Sequence, residues 1–323
     1  MTKQSLNFAV ILPAAGRSRR FLSSMNECVN TADAVENVTD GMGNTADETI
    51  NVTVDEMVNA TQTTICEGEK KKVYTSLLGR PVWSFAAELF AKRQDVARIL
   101  LVIAREDLDA WQRQVARLIA EGHVSLRRLE WVYGGAERGD SIRNALRKLL
   151  ETETNDRETM GKSIESVGWV AVHDAARPCI TNEDVDRIFT AVQKYRAVIP
   201  AVPVAATLKR ERVVSESNNQ DVWIGETVSR QGLWEAQTPQ VFEKSLFIDA
   251  YDLAEREMNV MAKCESNSIA KRVATPTDDA QLVERLGVSV AMVRCSSMNL
   301  KITTLEDLRL AEAILRSRIP QID

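Results

Sequence analysis

Histidine is almost absent from this chain, whose 323 residues include only His123 and His173. Catalysis by a Ser-His-Asp triad or by a histidine-bound zinc ion therefore has almost nothing to build on. We interpret His173, which follows an apolar run, as a structural side chain rather than a base. His123 is predicted to lie in a surface loop.

Long apolar runs and paired cysteines are also missing. No run approaches the roughly 20 apolar residues that span a bilayer, and the first residues do not resemble the apolar core of a signal peptide. Five cysteines are scattered without metal-binding spacing, and their odd number favours free thiols in a reducing compartment. We therefore expect a cytoplasmic protein that has neither a membrane partner nor a metal site of its own.

Positive charge is missing from one segment. Residues 22–69 contain no Lys or Arg but ten Asp and Glu residues, and they are poor in large apolar side chains. Such a segment buries too little apolar surface to offset its ordering entropy, so we expect an acidic, disordered insertion over residues 22–70. Because the whole chain has a net charge of −5, the remainder carries about +5 once those ten carboxylates are set aside. A mildly basic body suits a phosphorylated small molecule and is too weak to indicate nucleic acid.

Outside this segment, apolar strand-like runs alternate with helical periodicity. Near-continuous apolar runs such as residues 99–103 are typical of a sheet covered on both faces. The pattern predicts an α/β fold with a doubly wound, mostly parallel, Rossmann-like sheet and with ligands at the carboxyl ends of its strands. The predicted strands are 8–12, 98–104, 126–133, 168–173, 197–202 and 288–293, and the predicted helices are 82–93, 106–120, 138–151, 182–195, 243–256 and 304–316.

Residues 203–234 interrupt the alternation. They read as extended, polar and rich in turns, which predicts a β-hairpin arm that leaves the body of the protein. An isolated two-stranded hairpin is only marginally stable, so we expect this arm to pack on another subunit.

The first predicted strand runs into the small residues Pro13-Ala14-Ala15-Gly16, which are followed by Arg17, Arg19 and Arg20. Small side chains let main-chain N–H groups approach a ligand closely, and guanidinium groups supply charge opposite an anion. The loop is neither a Walker A motif nor a dinucleotide fingerprint. It predicts a nucleotide site of another kind.

Further polar motifs stand where other predicted strands end. Gly134-Gly135 closes one strand before Ser141, Asp174 follows another, and Lys301 precedes a predicted helix. A carboxylate at such an edge meets a metal or substrate hydroxyls more readily than the core. The basic run 70–72, directly after the acidic segment, is either a solvated cluster or the source of a lysine that reaches the phosphates.

Taken together and in order, these motifs resemble those of the 2-C-methyl-D-erythritol 4-phosphate cytidylyltransferase family of bacteria and plastids, which serves isoprenoid biosynthesis without mevalonate. The resemblance covers essentially the whole chain except residues 22–70, and the ordered combination is specific although each motif alone is not. The matching motifs are Pro13-Ala14-Ala15-Gly16 with Arg19-Arg20, Gly134-Gly135 with Glu137-Arg138 and Asp140-Ser141, His173-Asp174-Ala175-Ala176-Arg177-Pro178, Thr207-Leu208-Lys209-Arg210, Arg230-Gln231-Gly232-Leu233-Trp234, Thr238-Pro239-Gln240, Thr277-Asp278 and Leu300-Lys301-Ile302-Thr303.

The resemblance implies a single nucleotidyltransferase domain over residues 1–323 that transfers CMP from CTP to methylerythritol phosphate and releases pyrophosphate. It implies Mg²⁺ bound mainly through the CTP phosphates, and a homodimer with shared active sites. The attacking phosphate oxygen is already anionic, so no general base is required, which agrees with a chain poor in histidine.

Residue roles follow from the same resemblance. Arg20 and Lys72 match the catalytic cations at the α-phosphate. The positions that match nucleotide contacts are Pro13, Ala14, Ala15, Gly16, Gly135, Ser141 and Ala175. The positions that match substrate-positioning residues, on the acceptor side or across the dimer interface, are Arg230, Lys301, Asp174, Thr238, Thr207 and Arg177.

The chain departs from the family pattern at several of these points. Ala136 stands where the family often has an aspartate that contacts the base, which predicts looser selectivity for CTP. Lys71 and Val73 replace a proline and a glutamine beside the catalytic lysine, so Lys71 remains an alternative to Lys72. The insertion over residues 22–70 separates Arg20 from Lys72, yet closing so long a loop costs only a few kcal/mol.

Two other functions remain open. A pentitol-phosphate cytidylyltransferase, with ribitol 5-phosphate as acceptor, shares most of these motifs. A nucleotide-binding module without turnover is the alternative from another class, if the insertion shields the phosphates.

Overall fold

The structure, a computed structural model, describes residues 6–16, 21–24, 71–160, 167–212, 222–263 and 276–319. Arg20, residues 25–70 of the predicted insertion and residues 213–221 of the predicted arm lie outside the described residues. Residues 21–24 form a helical turn, so helical structure extends three positions into the predicted insertion.

Most of the described elements alternate between strand and helix, as the sequence predicts, although five strands follow one another between residues 197 and 243. The strands are β1 (Phe8–Pro13), β2 (Ser76–Leu77), β3 (Arg80–Pro81), β4 (Val96–Ile103), β5 (Leu129–Tyr133), β6 (Trp169–Val172), β7 (Ala197–Pro203), β8 (Leu208–Glu211), β9 (Ile224–Val228), β10 (Trp234–Ala236), β11 (Gln240–Glu243) and β12 (Ala291–Arg294). The helices are α1 (Val82–Ala91), α2 (Leu108–Ala120), α3 (Arg138–Met160), α4 (Asn182–Ala191), α5 (Lys244–Lys263), α6 (Asp279–Arg285) and α7 (Leu305–Arg316).

Eight strands form one sheet, in the order β10-β7-β11-β6-β1-β4-β5, with β12 paired to β7. Strands β6, β1, β4 and β5 are parallel, and β12 is parallel to β7. Strand β11 is antiparallel to both β6 and β7, and β10 is antiparallel to β7. The doubly wound, mostly parallel fold class predicted from the sequence is confirmed.

The central strand β1 explains why the sheet is covered on both faces. Phe8, Val10 and Leu12 pack into one core with residues of α1 and α4, whereas Ala9 and Ile11 pack into the other with residues of α3 and α5. Successive side chains of a strand point to opposite faces, so a strand buried on both must be apolar at every position.

The arm is a separate two-stranded antiparallel sheet. Strand β8 pairs with β9, and Leu208 lies opposite Val228 in the register. The flanking strands β7 and β10 pair with each other in the main sheet, so the arm leaves the body after Pro203 and returns at Trp234. Its exposed apolar side chains are Val222, Trp223, Ile224, Leu233 and Trp234.

Several element boundaries differ from the predicted ones. Residues 124–128 form a 3₁₀ helix rather than the start of a strand, and the strand predicted at residue 288 begins at Ala291. Two strands of the main sheet, β10 and β11, were not predicted, and neither was helix α6. These elements are three to seven residues long, too short for apolar periodicity to distinguish them from loops.

Candidate active site

Topology brings the predicted motifs to one edge of the sheet. Parallel strands β1, β4, β5 and β6 all end there, and the antiparallel strand β11 begins there, since Gln240 pairs with Val172 at the end of β6. The residues that follow or precede these ends therefore share an edge, as expected for a ligand site in an open α/β sheet.

The first loop and the Gly134-Gly135 loop are in contact at this edge. The N–H of Ala14 donates to the carbonyl of Val102 at 2.8 Å, and the N–H of Gly134 donates to the carbonyl of Ile103 at 2.8 Å. A Cβ atom added to Gly134 would lie 2.6 Å from the Cβ of Ala15. The two loops thus approach so closely that only glycine fits at residue 134.

Gly135 is required for a similar reason. A Cβ atom there would lie 2.3 Å from the Cβ of Asp140, which belongs to the first turn of α3. The N–H of Gly135 donates to the Oγ of Ser141 at 3.1 Å, and that hydroxyl is 3.2 Å from the carbonyl of Glu137, to which it donates. Ser141 therefore fixes the loop in place. Pro13, Ala14, Ala15, Gly135 and Ser141 are brought together, as predicted.

A charged cluster forms the other part of the site. The Nζ of Lys301 is 2.9 Å from the Oδ2 of Asp174, and the Nε of Arg177 is 3.5 Å from the same oxygen. Burial by itself would favour the neutral acid, but the charges of Lys301, Arg138 and Arg177 outweigh it and hold the pKa of Asp174 well below its usual value. Asp174 is therefore a carboxylate at neutral pH, and it orients two cations.

His173 is fixed by a chain of hydrogen bonds beneath this cluster. The Oγ1 of Thr238 accepts from the N–H of Asp174 at 3.0 Å and lies 3.2 Å from the Nδ1 of His173, to which its hydroxyl donates because the other ring nitrogen faces a carbonyl. The Nε2 of His173 then donates to the carbonyl of Arg177 at 3.2 Å. Complete burial lowers the pKa of His173 to about 4, which keeps the ring neutral. This environment supports its interpretation as a structural side chain.

Buried amides connect the same cluster to later parts of the chain. The Nδ2 of Asn299 donates to the carbonyl of Thr238 at 2.9 Å, while the carbonyl of Asn299 accepts from Arg177 at 2.7 Å. The Nε2 of Gln240 donates to Asp278 at 2.8 Å, and its Oε1 accepts from the N–H of Ala280 at 3.0 Å. Neither Asn299 nor Gln240 was predicted as a site residue, although Gln240 stands in a motif that carries the resemblance and Asn299 directly precedes another.

A second acidic residue joins the two parts of the site. Arg138, which opens α3 after the Gly135 loop, lies 2.7 Å from Asp279, whose other oxygen accepts from the hydroxyl of Tyr251 at 2.6 Å. Asp279 is buried, so its carboxylate is shielded from solvent in this ion pair. The sequence places Asp279 beside the Thr277-Asp278 motif, but its partner is 141 positions away and leaves no local pattern.

One of the two candidate lysines, Lys71, is held by ion pairs. The Nζ of Lys71 lies 2.9 Å from Glu106 and 2.7 Å from Asp107, which directly precede α2. Lys72, the other candidate, is half-buried. The predicted meeting of Arg20 and Lys72 stays a prediction, because Arg20 lies outside the described residues. The next residue, Phe21, is fully buried against Leu77 and Ile302.

Thr207 and Arg230 are not part of this cluster in a single chain. Both lie on the arm and are exposed, and Arg230 donates to the main-chain carbonyl of Ala205 within the arm itself. Ala175 is buried next to Asp174, and Gly16 has open space around its Cα among the described residues.

No helix in the described ranges is long and apolar enough to cross a membrane. In the same ranges, no group of three or more His, Cys, Asp or Glu side chains is placed to hold a metal ion.

Known proteins with the same features identify the family. The sequence model of the family described as IspD, 2-C-methyl-D-erythritol 4-phosphate cytidylyltransferase, matches residues 54–317. The 2-C-methyl-D-erythritol 4-phosphate cytidylyltransferase of Rhodopirellula baltica is 35% identical over 247 residues, which cover 76% of this chain and 88% of that protein.

Solved structures agree. A 4-diphosphocytidyl-2C-methyl-D-erythritol synthase has a TM-score of 0.59 at 24% identity and covers 97% of this chain and 100% of its own, which shows the shared fold. The cytidylyltransferase of Thermus thermophilus has a TM-score of 0.52 at 28% identity, covering 76% of this chain and 94% of its own. The resemblance found in the motifs is confirmed, and the chain belongs to the 2-C-methyl-D-erythritol 4-phosphate cytidylyltransferase family of nucleotidyltransferases.

Proposed function

We propose that this chain transfers CMP from CTP to 2-C-methyl-D-erythritol 4-phosphate and releases pyrophosphate, as a step of isoprenoid biosynthesis. One observation supports this most strongly. A loop pair with closely approaching backbones and a cluster of compensated charges around the buried Asp174 lie at the same sheet edge. The first suits a flat base and a triphosphate, and the second suits a phosphorylated polyol.

The nucleotide would lie on the first loop and the Gly135 loop. Main-chain N–H groups after Pro13 approach the ribose and triphosphate, because the side chains of Ala14, Ala15 and Gly16 are small. Cytosine lies against Gly135, which is exposed, and next to Ser141 and Ala175.

The acceptor would lie on the charged side. Lys301 and Arg177 are oriented by Asp174, so they meet the acceptor without first having to be ordered. Thr238 is already bonded to His173 and to the N–H of Asp174, and this fixes its position beside the acceptor.

The chemistry is an in-line displacement at the α-phosphorus. An oxygen of the acceptor phosphate forms a new P–O bond, the bond to the β-phosphate oxygen breaks, and pyrophosphate leaves with that electron pair. The main barrier is the approach of two anions, so the cations Arg20 and Lys72 stabilise the charge on the equatorial oxygens. No proton has to be removed from the nucleophile.

Mg²⁺ fits this scheme as a companion of CTP. Magnesium usually keeps several waters and binds through phosphates and one or two carboxylates rather than in a protein cage. It would supply further neutralisation of the triphosphate charge.

We further propose a homodimer in which the arm of one copy completes the site of the other. The apolar side chains of the arm support this, since Trp223 is 58% exposed and Ile224 is 57% exposed in a single chain. Thr207 and Arg230 would then reach the acceptor of the partner copy. The variant Ile224→Asp is expected to shift the sedimentation profile to monomer and to lower turnover. A monomeric wild type with full activity would contradict the shared site.

We also propose that the protein acts in the cytoplasm. The two described cysteines, Cys179 and Cys295, are free and buried, which agrees with a reducing compartment.

The function is tested by following pyrophosphate from pure protein with CTP and Mg²⁺. Release with 2-C-methyl-D-erythritol 4-phosphate and little with ribitol 5-phosphate is expected, and the reverse preference would support the pentitol-phosphate enzyme. Binding of CTP without pyrophosphate from either acceptor would support a binding module instead. The matched control is Lys72→Ala, which is expected to abolish turnover and keep the fold.

A further inference from the structure

An ion pair between Arg138 and Asp279 connects two helices at the candidate site. The Nη2 of Arg138, the first residue of α3, donates at 2.7 Å to the Oδ2 of Asp279, the first residue of α6. The side chain of Asp279 is 1% exposed, whereas that of Arg138 is 36% exposed. The other carboxylate oxygen accepts from the hydroxyl of Tyr251 at 2.6 Å. Both oxygens of this buried acid therefore have a partner, which fixes the carboxylate in place.

The helix to which Arg138 belongs does not account for an arginine at this position. The N-terminus of a helix carries a partial positive charge, so a cation in the first turn of α3 is unfavourable there. Partial burial would also lower the pKa of Arg138, but the charge and hydrogen bond of Asp279, with the charge of Asp174 as a smaller contribution, raise that pKa. The guanidinium is therefore stabilised by acids of other elements, Asp279 of α6 and Asp174 after β6.

On one side, Arg138 is part of the unit that forms the Gly135 loop. The hydroxyl of Ser141 accepts from the N–H of Gly135 at 3.1 Å and donates to the carbonyl of Glu137 at 3.2 Å. The N–H of Glu137 donates to the Oδ2 of Asp140 at 3.2 Å. The loop and the first turn of α3 thus form one hydrogen-bonded unit, and the side chain of Arg138 ties this unit to α6.

On the other side, the start of α6 is held at the sheet edge by Gln240. The Nε2 of Gln240 donates to Asp278 at 2.8 Å, and its Oε1 accepts from the N–H of Ala280 at 3.0 Å, so both neighbours of Asp279 are bound. Gln240 pairs with the last residue of β6, which lies two positions before Asp174. The ion pair therefore completes a connection from the proposed nucleotide loop to the proposed acceptor side.

We propose that Arg138 is a positioning residue for the nucleotide: by pairing with Asp279, it holds the Gly135 loop at a fixed place relative to the acceptor-side cluster. This inference rests on the proposed function only in placing the base of CTP on that loop. It gives the ion pair a role in binding CTP in addition to any role in stability. Arg138 acts through the loop, because its hydrogen bond goes to an acid of the protein.

Calorimetric titration with CTP and Mg²⁺ measures the effect on binding. Arg138→Met is expected to raise the Kd for CTP by about tenfold, because the loop then has to be ordered when the nucleotide binds. Arg138→Lys should stay within about threefold of the wild type, since a single N–H···O bond does not need the fork of a guanidinium. The double variant Arg138→Met with Asp279→Asn also lacks the ion pair, so it should bind CTP as weakly as Arg138→Met.

The matched control is another arginine of α3. Arg147 pairs with Glu255 of α5 at 3.5 Å, nine positions after Arg138 and away from the Gly135 loop. Arg147→Met should leave the Kd for CTP within about twofold of the wild type, because an exposed pair contributes little. An equal loss of affinity in Arg147→Met and Arg138→Met would contradict a specific role of Arg138.

Thermal unfolding shows what stability alone contributes. Arg138→Met leaves a buried carboxylate without its cation, so its Tm should fall, and the double variant should recover most of that loss because the charge is gone. If Arg138→Met does not fold, the double variant carries the test. Recovery of both Tm and CTP affinity in the double variant would overturn the proposal, because the uncompensated charge would then explain the whole effect. Wild-type affinity in folded Arg138→Met would overturn it as well.

A second measurement needs no nucleotide. Hydrogen–deuterium exchange of peptides that cover residues 134–141, read by mass spectrometry, reports how often the loop opens. Exchange should be severalfold faster in the double variant than in the wild type, and unchanged in Arg147→Met. If the wild type bound no CTP, the proposed function would fail, while this result would still decide whether the ion pair fixes the loop. Equal exchange in the wild type and the double variant would refute the proposal.

Discussion

The proposed nucleotide side and the proposed acceptor side of the candidate site are built by different means. On the nucleotide side, the Gly134 and Gly135 positions are set by atoms that approach within 3 Å of where a Cβ would be. On the acceptor side, the positions of Lys301 and Arg177 are set by the charge of Asp174. The first part is therefore sensitive to added atoms, and the second to removed charges.

This difference has a physical origin in what each part would bind. A flat base and a chain of phosphates can be held by main-chain groups, which need close approach and small residues. A flexible polyol phosphate needs long cationic side chains, whose rotamer freedom is costly to restrict unless another charge restricts it beforehand. Asp174 does this for two cations.

The largest effect on turnover is expected from removing the charge of Asp174. Asp174→Asn keeps the size of the side chain but leaves Lys301 and Arg177 without their carboxylate, so kcat/KM should fall by about 10³-fold, or about 4 kcal/mol. Steady-state kinetics on folded protein measure the loss. The control is Asp186→Asn, which removes an exposed acid paired with Arg93 at 2.8 Å. This variant should lower kcat/KM by no more than the equivalent of about 1 kcal/mol. Equal effects in the two variants would show that the charge of Asp174 does not order Lys301 and Arg177 for the reaction.

The next effect concerns stability rather than turnover. His173 has a pKa of about 4 in the folded protein against 6.5 for an exposed histidine, so the unfolded state binds a proton first as the pH falls. Stability should therefore decrease between about pH 6.5 and pH 4, by up to about 3 kcal/mol, and this dependence should disappear in His173→Gln. Denaturant unfolding across that pH range measures it. The matched control is His123→Gln, and loss of the dependence in that variant instead would assign it to the wrong histidine.

The smallest effect is expected outside both parts of the site. Replacing residues 25–69 by a short Gly-Ser linker should leave kcat within about threefold of the wild type, because loop length changes closure cost only logarithmically. The matched variant also removes residues 22–24 and should be less stable by about 1 kcal/mol. The reason is that Ser24 accepts a hydrogen bond from the N–H of Leu305, at the start of α7, at 3.2 Å. Loss of activity in the shorter deletion would give the acidic segment a role in the site.

The sequence predicted most of the fold because its main strands are local apolar runs. Strands β1 and β4 bury both faces, so nearly every position is apolar. The position of the ligand edge could be predicted because parallel strands end at the same edge of a sheet. The short strand β11 was missed because only two apolar residues lie between Gln240 and Glu243. Its place in the sheet depends on pairing with β6, about 70 positions earlier.

The site was predictable only where a motif was local. Asp174 and Lys301 stand at strand ends, but their ion pair joins distant segments. Buried Asn299 and Gln240 read as ordinary polar residues until their partners are known. The ion pairs of Lys71 likewise depend on Glu106 and Asp107, which no local pattern places nearby.

The most direct test of this two-part site is to measure the KM for CTP and the KM for the acceptor in two variants, one on each side of the site. Gly135→Ala adds an atom to the nucleotide side, and Lys301→Met removes a charge from the acceptor side. The account predicts that Gly135→Ala raises the KM for CTP by about tenfold and changes the acceptor KM by less than about twofold, with the opposite pattern for Lys301→Met. The reverse pattern, or equal changes in both constants for both variants, would contradict it.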